Sequence, residues 1–399
     1  MSSERNRNRS HSHSQTADPS VFHTQPASNP PRRFSLSVHR PSDLDALPIS
    51  AQERNRNHDA EHAFNVRIPK HYLSSIDFGN PRDPVRLQSI PQAEELQFDP
   101  REISDPIGDQ KHSPVPRLTH RYPDRVLLYP TYQCAVYCRH CFRKESLSDA
   151  GDQFSATALE PAFGYIRNHP EVQEVIITGG DPLVLSNQRI AFLREQLEAI
   201  PHLRMIRFHT RIPVVMPQRI DDGLVTALSG RLMVCIVTHF NHPQEVVPAC
   251  QVAAEKLRRA GFVLLNQTVL LRGINDDAET LKTLCRELFY TLGIKPYYLH
   301  HCDLTHGLTH FRTTIEEGLS IMQKLRGHLS GVCLPQYVLD LPGGNGKIPL
   351  GPSYVEDKAG YCWTFRNYQG KLCRYEEVVS ENPPQQEGNQ TNGEGNERR

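Results

Sequence analysis

Cys134-Ala135-Val136-Tyr137-Cys138-Arg139-His140-Cys141 follows closely on Arg125-Val126-Leu127-Leu128-Tyr129, a short apolar run of strand character that ends at Pro130. Three thiols in Cys-x3-Cys-x2-Cys spacing beyond a buried strand can turn inward around one metal centre, and no fourth cysteine stands nearby to close the shell. An iron–sulfur cluster ordinarily takes four cysteine ligands, so three leave one iron open to a ligand that is not protein. The same residue types also allow a zinc site of three cysteines and His140. The rest of the chain has to separate the two readings.

Outward from this loop, short β-branched or aromatic runs alternate with longer amphipathic stretches, the pattern of repeated βα units on a parallel sheet. The strands fall at Arg125–Tyr129, Glu174–Thr178, Met205–Thr210, Leu232–His239, Val263–Leu270 and Pro296–His300, with helical patterns between them such as Arg189–Ile200, Glu245–Arg259 and Ala278–Leu292. This predicts an α/β fold, a partial (β/α)6 TIM-like barrel two units short of the closed eightfold one. Residues 120–332 form that core. Residues 58–119, apolar clusters such as Tyr72-Leu73 and Leu96-Gln97-Phe98 broken by prolines, read as a small helical cap. Residues 333–379 add Gln336-Tyr337-Val338-Leu339-Asp340, a Gly-rich turn and a further strand pair near Tyr361–Tyr375. Residues 1–57 and 380–399 are polar, lack apolar periodicity and are expected to be disordered tails.

Loops at the carboxyl ends of parallel strands carry the chemistry in such folds. The polar residues fall there: the cysteine motif after the first strand, Gly179-Gly180-Asp181 after the second, His209-Thr210-Arg211 ending the third, Thr238-His239 ending the fourth, Gln267 in the fifth and Asp303 after the sixth. One strand-end His or Asp alone is ordinarily a cap or a satisfied structural group. Their joint placement on one face points to a site.

Among the 399 residues, Lys+Arg and Asp+Glu balance at 45 each, so net charge points neither to nucleic acid nor to an anionic membrane. Ten cysteines, three of them in one motif and the others scattered, do not make a secreted disulfide framework. No apolar run reaches the ~18 residues of a membrane span, and the N-terminus lacks the basic-then-apolar order of a signal peptide. A cytoplasmic protein is expected.

The cysteine motif followed by Gly179-Gly180-Asp181 resembles a radical S-adenosylmethionine enzyme. More closely, His120-Arg121-Tyr122-Pro123-Asp124-Arg125, Cys138-Arg139-His140-Cys141, Thr238-His239-Phe240-Asn241-His242-Pro243, Leu271-Arg272-Gly273-Ile274-Asn275-Asp276 and Pro342-Gly343-Gly344-Asn345-Gly346-Lys347 are together similar to the lysine 2,3-aminomutase family. The resemblance spans roughly residues 115–370. It implies a barrel of the radical S-adenosylmethionine type, an isomerase activity and three cofactors. Cys134, Cys138 and Cys141 would hold a [4Fe–4S] cluster whose remaining iron takes S-adenosylmethionine. The Gly179-Gly180-Asp181 turn would let the backbone approach that cofactor closely, and His140, His239 and Gln267 would line its adenosyl part.

By the same resemblance, Lys347 forms a Schiff base with pyridoxal 5′-phosphate, Arg121 and Arg125 hold the phosphate, and Tyr122 lies against the ring. A phosphate loop is excluded on the residues themselves, since Leu341 and Ile348 stand where that motif needs Gly and Ser or Thr. Arg143 would pair with the substrate α-carboxylate, and Asp303 and Asp340 would receive the distal ammonium of L-lysine. Two acids in one buried pocket repel unless a cation joins them, which suits a diamino acid; arginine presents a larger cation to the same pair. A one-electron reductant of flavodoxin or ferredoxin type and a homo-oligomer are further implied partners. Other readings are the β-lysine-forming enzyme that serves elongation factor P modification and, from another class, a zinc-stabilised non-catalytic binding protein. Only Cys362 and Cys373 lie in the C-terminal region, too far apart for a short zinc knuckle.

Overall fold

Nine strands pair in chain order into one sheet: β1 Leu118–Tyr122, β2 Arg125–Thr131, β3 Glu174–Gly179, β4 Met205–His209, β5 Met233–Thr238, β6 Val263–Leu270, β7 Lys295–His301, β8 Gln336–Asp340 and β9 Lys347–Leu350. The computed structural model describes residues 37–97, 99–145 and 154–379. The parts of the expected tails before residue 37 and after residue 379, and Phe98 of the cap, lie outside the described residues. Strands β2 to β8 run parallel, and β1 and β9 flank them antiparallel. The two edges meet where the Lys347 backbone N–H donates to Tyr122 Oη at 2.8 Å. The sheet therefore curls into a nearly closed barrel.

Side-chain alternation explains what each wall does. In β6 the buried residues Leu264, Asn266, Thr268 and Leu270 alternate with Gln267 and Val269, which face the barrel cavity. Helices Ala156–Arg167, Asn187–Glu198, Ala278–Arg286 and Ile315–Leu325 cover the outside, burying rows such as Leu159, Phe163 and Ile166. Ser155, Ser186, Asp277 and Thr314 cap their first turns by accepting backbone N–H bonds. These caps fix where each helix begins, and so the length of the strand-to-helix loops.

Four expectations are corrected. The parallel run has seven strands rather than six, because β8 joins β7 in parallel register through Leu299↔Tyr337 instead of belonging to a separate segment. Strand β2 continues through Pro130 to Thr131: the ladder slips between Leu128 and Thr131, where a residue without an N–H does no harm. The C-terminal strand pair is a three-stranded sheet, β10 Val355–Ala359, β11 Cys362–Arg366 and β12 Leu372–Glu376. Residues 37–57 are not tail. Val38 bridges Ile68, Leu44 and Leu47 are buried, and Ser50 caps a helix over Ala51–Ala63. A polar stretch docks when its few apolar side chains all reach one core.

Candidate active site

Every residue that the resemblance assigns to a site lines one cavity of about 570 Å³ inside the barrel. At one end is the cysteine loop. The cap clamps it: Tyr137 N–H donates to Arg67 O at 3.1 Å, Arg139 N–H to Gln88 O at 2.9 Å, and the Arg139 guanidinium pairs with Glu95 at 2.6 Å, both side chains almost wholly buried. From the other side, Gly180 N–H donates to Thr131 O and Asp181 N–H to Gln133 O, each at 2.8 Å. A Cβ on Gly180 would overlap Gln133 O and lie 2.6 Å from Tyr132 C. The two glycines thus serve the approach of the chain to itself, at the step that leads into Cys134. Asp181 is likewise engaged within the protein, accepting from Thr210 Oγ1 at 2.7 Å and Arg211 N–H at 2.7 Å.

Burial pushes the Cys141 thiol up to about 11 and Cys134 well above the usual range. These thiols ionise only against a cationic partner, and a metal cluster is one. Cys138 already has such a neighbour: Arg211 Nη1 donates to its Sγ at 2.7 Å, while Nη2 donates to Tyr72 Oη, Gln88 Oε1 and Glu245 Oε1. His140 turns to Asn241 Nδ2, 3.1 Å from its Nε2. Among the described residues no three His, Cys, Asp or Glu side chains gather around a single-ion site. Burial, with the Arg211 charge, keeps His140 neutral and takes His239 down to about 3; Gln267 Nε2 lies 3.4 Å from His239.

At the other end stands Lys347. Its ammonium is ion-paired with Asp340 and lies 3.3 Å from His300 Nδ1. Burial alone would raise Asp340, but the His300 hydrogen bond and the Lys347 charge carry it below the ordinary carboxylate range. Asp303 goes the other way, up to about 7, through burial and the neighbouring Asp340. The Arg125 guanidinium stacks over the Tyr122 ring at 3.9 Å. Arg121 and Arg143 both pair with Asp109, at 2.7 and 2.6 Å. Around them Arg121 Nε, Arg207 Nε, His209 Nε2 and His300 Nε2 are buried with no hydrogen-bond partner. These polar nitrogens, beside the Arg121 and Arg143 guanidiniums, fit a bound anion such as a phosphate or carboxylate.

Sequence reasoning missed Asp109, Arg207 and His300, and it saw Arg211 only as a strand-end residue. Asp109 carries no signal, since it sits among the turns of the cap. His300 and Arg207 lie within strands whose alternation could have marked them as cavity-facing.

Residues 322–395 match a family model described as lysine-2,3-aminomutase, and residues 124–212 match a 4Fe-4S single cluster domain. The chain is 41% identical to the L-lysine 2,3-aminomutase of Clostridium subterminale over 84% of this chain and 81% of that one. The chain belongs to the lysine 2,3-aminomutase family. Lysine 2,3-aminomutases are radical S-adenosylmethionine isomerases whose cofactors are a [4Fe–4S] cluster, S-adenosylmethionine and pyridoxal 5′-phosphate. The L-lysine 2,3-aminomutase of Methanococcus maripaludis is 40% identical, covering 83% of this chain and 76% of that one. The glutamate 2,3-aminomutase of Clostridioides difficile is 38% identical, over 86% and 82%. Similarity to this family therefore extends to enzymes named for different substrates, and the distal end of the cavity has to decide between them.

Proposed function

We propose that the chain interconverts L-α-lysine and L-β-lysine, and that Cys134, Cys138 and Cys141 hold the cluster while Lys347 carries pyridoxal phosphate. The observation that carries the substrate reading is the pair Asp303 and Asp340 lining one buried cavity, with the chain's own ammonium, Lys347 Nζ, already on Asp340. An amine on that carboxylate stands where a substrate's distal ammonium would. When bound, the cluster with S-adenosylmethionine supplies an organic radical, and pyridoxal phosphate supplies the π system through which nitrogen moves from C2 to C3.

The residues bind and orient. Arg143 pairs with the substrate α-carboxylate, and Asp303 and Asp340 fix the far ammonium. Arg121 and Arg125 take the phosphate, Tyr122 supports the ring, and His140, His239 and Gln267 line the adenosyl part. Gly179, Gly180 and Asp181 shape the loop behind it. His300, whose pKa is lowered by burial and the Lys347 charge, lies 3.3 Å from Lys347 Nζ and helps to place it. Apolar walls such as Val126, Ile176, Val269 and Val338 exclude water and stray hydrogen donors. In this reading residues 120–332 with β8 are the radical core and the turn before β9 presents the lysine.

Ten unpaired cysteines support a cytoplasmic location, and among the described residues no helix is long and apolar enough to cross a membrane. The cluster calls for a one-electron donor of flavodoxin or ferredoxin type. Exposed Val355, Tyr361, Leu372 and Tyr375 on or beside the C-terminal sheet support a homo-oligomer. The test is anaerobic. Protein reconstituted with iron, sulfide and pyridoxal phosphate receives reductant, S-adenosylmethionine and, in parallel, L-lysine, L-arginine or L-glutamate. 3,6-Diaminohexanoate from lysine is the expected product; its absence from fully loaded protein would sink the substrate reading.

A further inference from the structure

Asp109 occupies a position that the assigned roles leave unexplained. Its Oδ1 accepts from Arg121 Nη2 at 2.7 Å, and its Oδ2 accepts from Arg143 Nε at 3.0 Å and Nη2 at 2.6 Å. One carboxylate thus binds two guanidiniums, one on each oxygen. The three side chains are 10–16% exposed, so the contacts are shielded from solvent. Asp109 is itself fixed from several sides. Its N–H donates to Asp105 Oδ1 at 2.8 Å, and its carbonyl accepts from Ser113 Oγ at 2.7 Å. The preceding Gly108, at φ +67°, presses so closely on the turn before Lys347 that a Cβ there would lie 2.6 Å from Gly343 C. Arg143 is held further by the faces of Tyr129 and Phe142, at 5.3 and 4.4 Å.

We propose that Asp109 apportions the two guanidiniums, keeping Arg121 for the cofactor phosphate and Arg143 for the α-carboxylate of the amino acid, so that neither anion recruits both. The inference rests on the assignment of Arg121 and Arg143 given above. A phosphate dianion attracts a neighbouring cation more strongly than a single carboxylate does. With no spacer, the phosphate would draw Arg143 toward itself and take it from the substrate. Asp109 prevents this by binding Nε and Nη2 of Arg143, so that Nη1 is the nitrogen it leaves to the substrate. It is a positioning residue, since it acts through the two arginines.

The test uses Asp109→Asn, which keeps the shape and removes the charge, with binding read by absorbance titration of pyridoxal phosphate and by calorimetry of L-lysine and cadaverine on cofactor-saturated protein. Cadaverine has both amines of lysine and no carboxylate. The expected result is pyridoxal phosphate bound as tightly as before or tighter, lysine bound about tenfold more weakly, cadaverine unchanged, and lysine binding restored in Asp109→Glu. Unchanged lysine affinity overturns the proposal. So does parallel weakening of pyridoxal phosphate, lysine and cadaverine with a lower melting temperature, which marks a structural role only. Arg143→Met separates the two levels. If it leaves lysine binding unchanged, the assignment of Arg143 itself fails; if it weakens lysine while Asp109→Asn does not, only the role of Asp109 fails.

Discussion

Without a substrate cation beside it, Asp303 has a pKa of about 7, since burial and Asp340 penalise its charge more than Lys347 and Arg143 favour it. Relative to an ordinary carboxyl near 4, about three units at ~1.36 kcal/mol each make ionisation cost roughly 4 kcal/mol. The distal ammonium of lysine, with a pKa of ~10.4, stays charged throughout and supplies the missing counter-charge. Lysine should therefore bind the protein with Asp303 ionised. At about pH 6 only roughly one-tenth of Asp303 is in that form, so lysine affinity should climb about tenfold toward a plateau above pH ~7.5. Stability follows the opposite course. Between about pH 4 and pH 7 the folded state binds the extra proton, so stability falls as pH rises through that window and loses nothing more above it. Asp303→Asn removes both effects: the substrate-free protein should melt higher than wild type at about pH 8, and lysine affinity, lower overall, should be flat between about pH 6 and pH 8. Calorimetry of lysine binding and thermal melts across that range measure both. A flat wild-type affinity, or an equal slope in Asp303→Asn, refutes the reasoning.

Gly180→Ala puts a methyl group into backbone that cannot yield, around Tyr132 and Gln133; it should lower stability by about 1–3 kcal/mol and reduce iron retained after reconstitution, read by iron analysis and melting. Arg211→Met strips the counter-charge from buried Glu245, and unfolding experiments should register a loss of about 3–5 kcal/mol; a stability equal to wild type would mean that the network of Tyr72, Gln88 and Glu245 does not depend on its cation. Lys347→Ala should abolish borohydride-stable attachment of pyridoxal phosphate and all isomerisation while iron content stays at the wild-type level. The converse is expected of Cys134→Ala, Cys138→Ala or Cys141→Ala, in which iron is depleted and Lys347 still takes the cofactor; full activity in all three would end the radical reading.

The barrel was legible in the sequence because each parallel strand is an apolar run buried against the outer helices, and because catalytic loops follow strands at predictable places. Hence the cysteine loop, Gly179-Gly180-Asp181 and Asp303 read as strand-end residues of one face, whereas Lys347 is marked only by the resemblance of the Gly-rich turn before it. What remained hidden depends on partners far apart in sequence. The Arg211 side chain meets residues 72, 88, 138 and 245, and no local pattern announces such a convergence. Asp109 lies in a stretch without periodicity, so only the folded cap brings it between two arginines from different strand ends. The helix over Ala51–Ala63 was missed for a related reason: its residues are polar, and it is held by a cap and by neighbouring buried side chains rather than by an apolar stripe of its own.

Relatives named for lysine and for glutamate are 41% and 38% identical to this chain, so overall similarity cannot choose the substrate, whereas charge can. A glutamate whose α-carboxylate is held by Arg143 would send its side-chain carboxylate toward Asp303 and Asp340, a third negative charge where burial and the charge of Asp340 already raise Asp303 to about 7. Like charges at ~4 Å in a protein-like dielectric cost about 4 kcal/mol per pair, which is roughly a thousandfold in affinity for each acid approached. A lysine ammonium at the same place reverses both signs. Arginine keeps the favourable sign, on a longer side chain that ends in a planar guanidinium. The acid pair therefore places both cationic amino acids above glutamate, on electrostatics at the far end of the cavity alone.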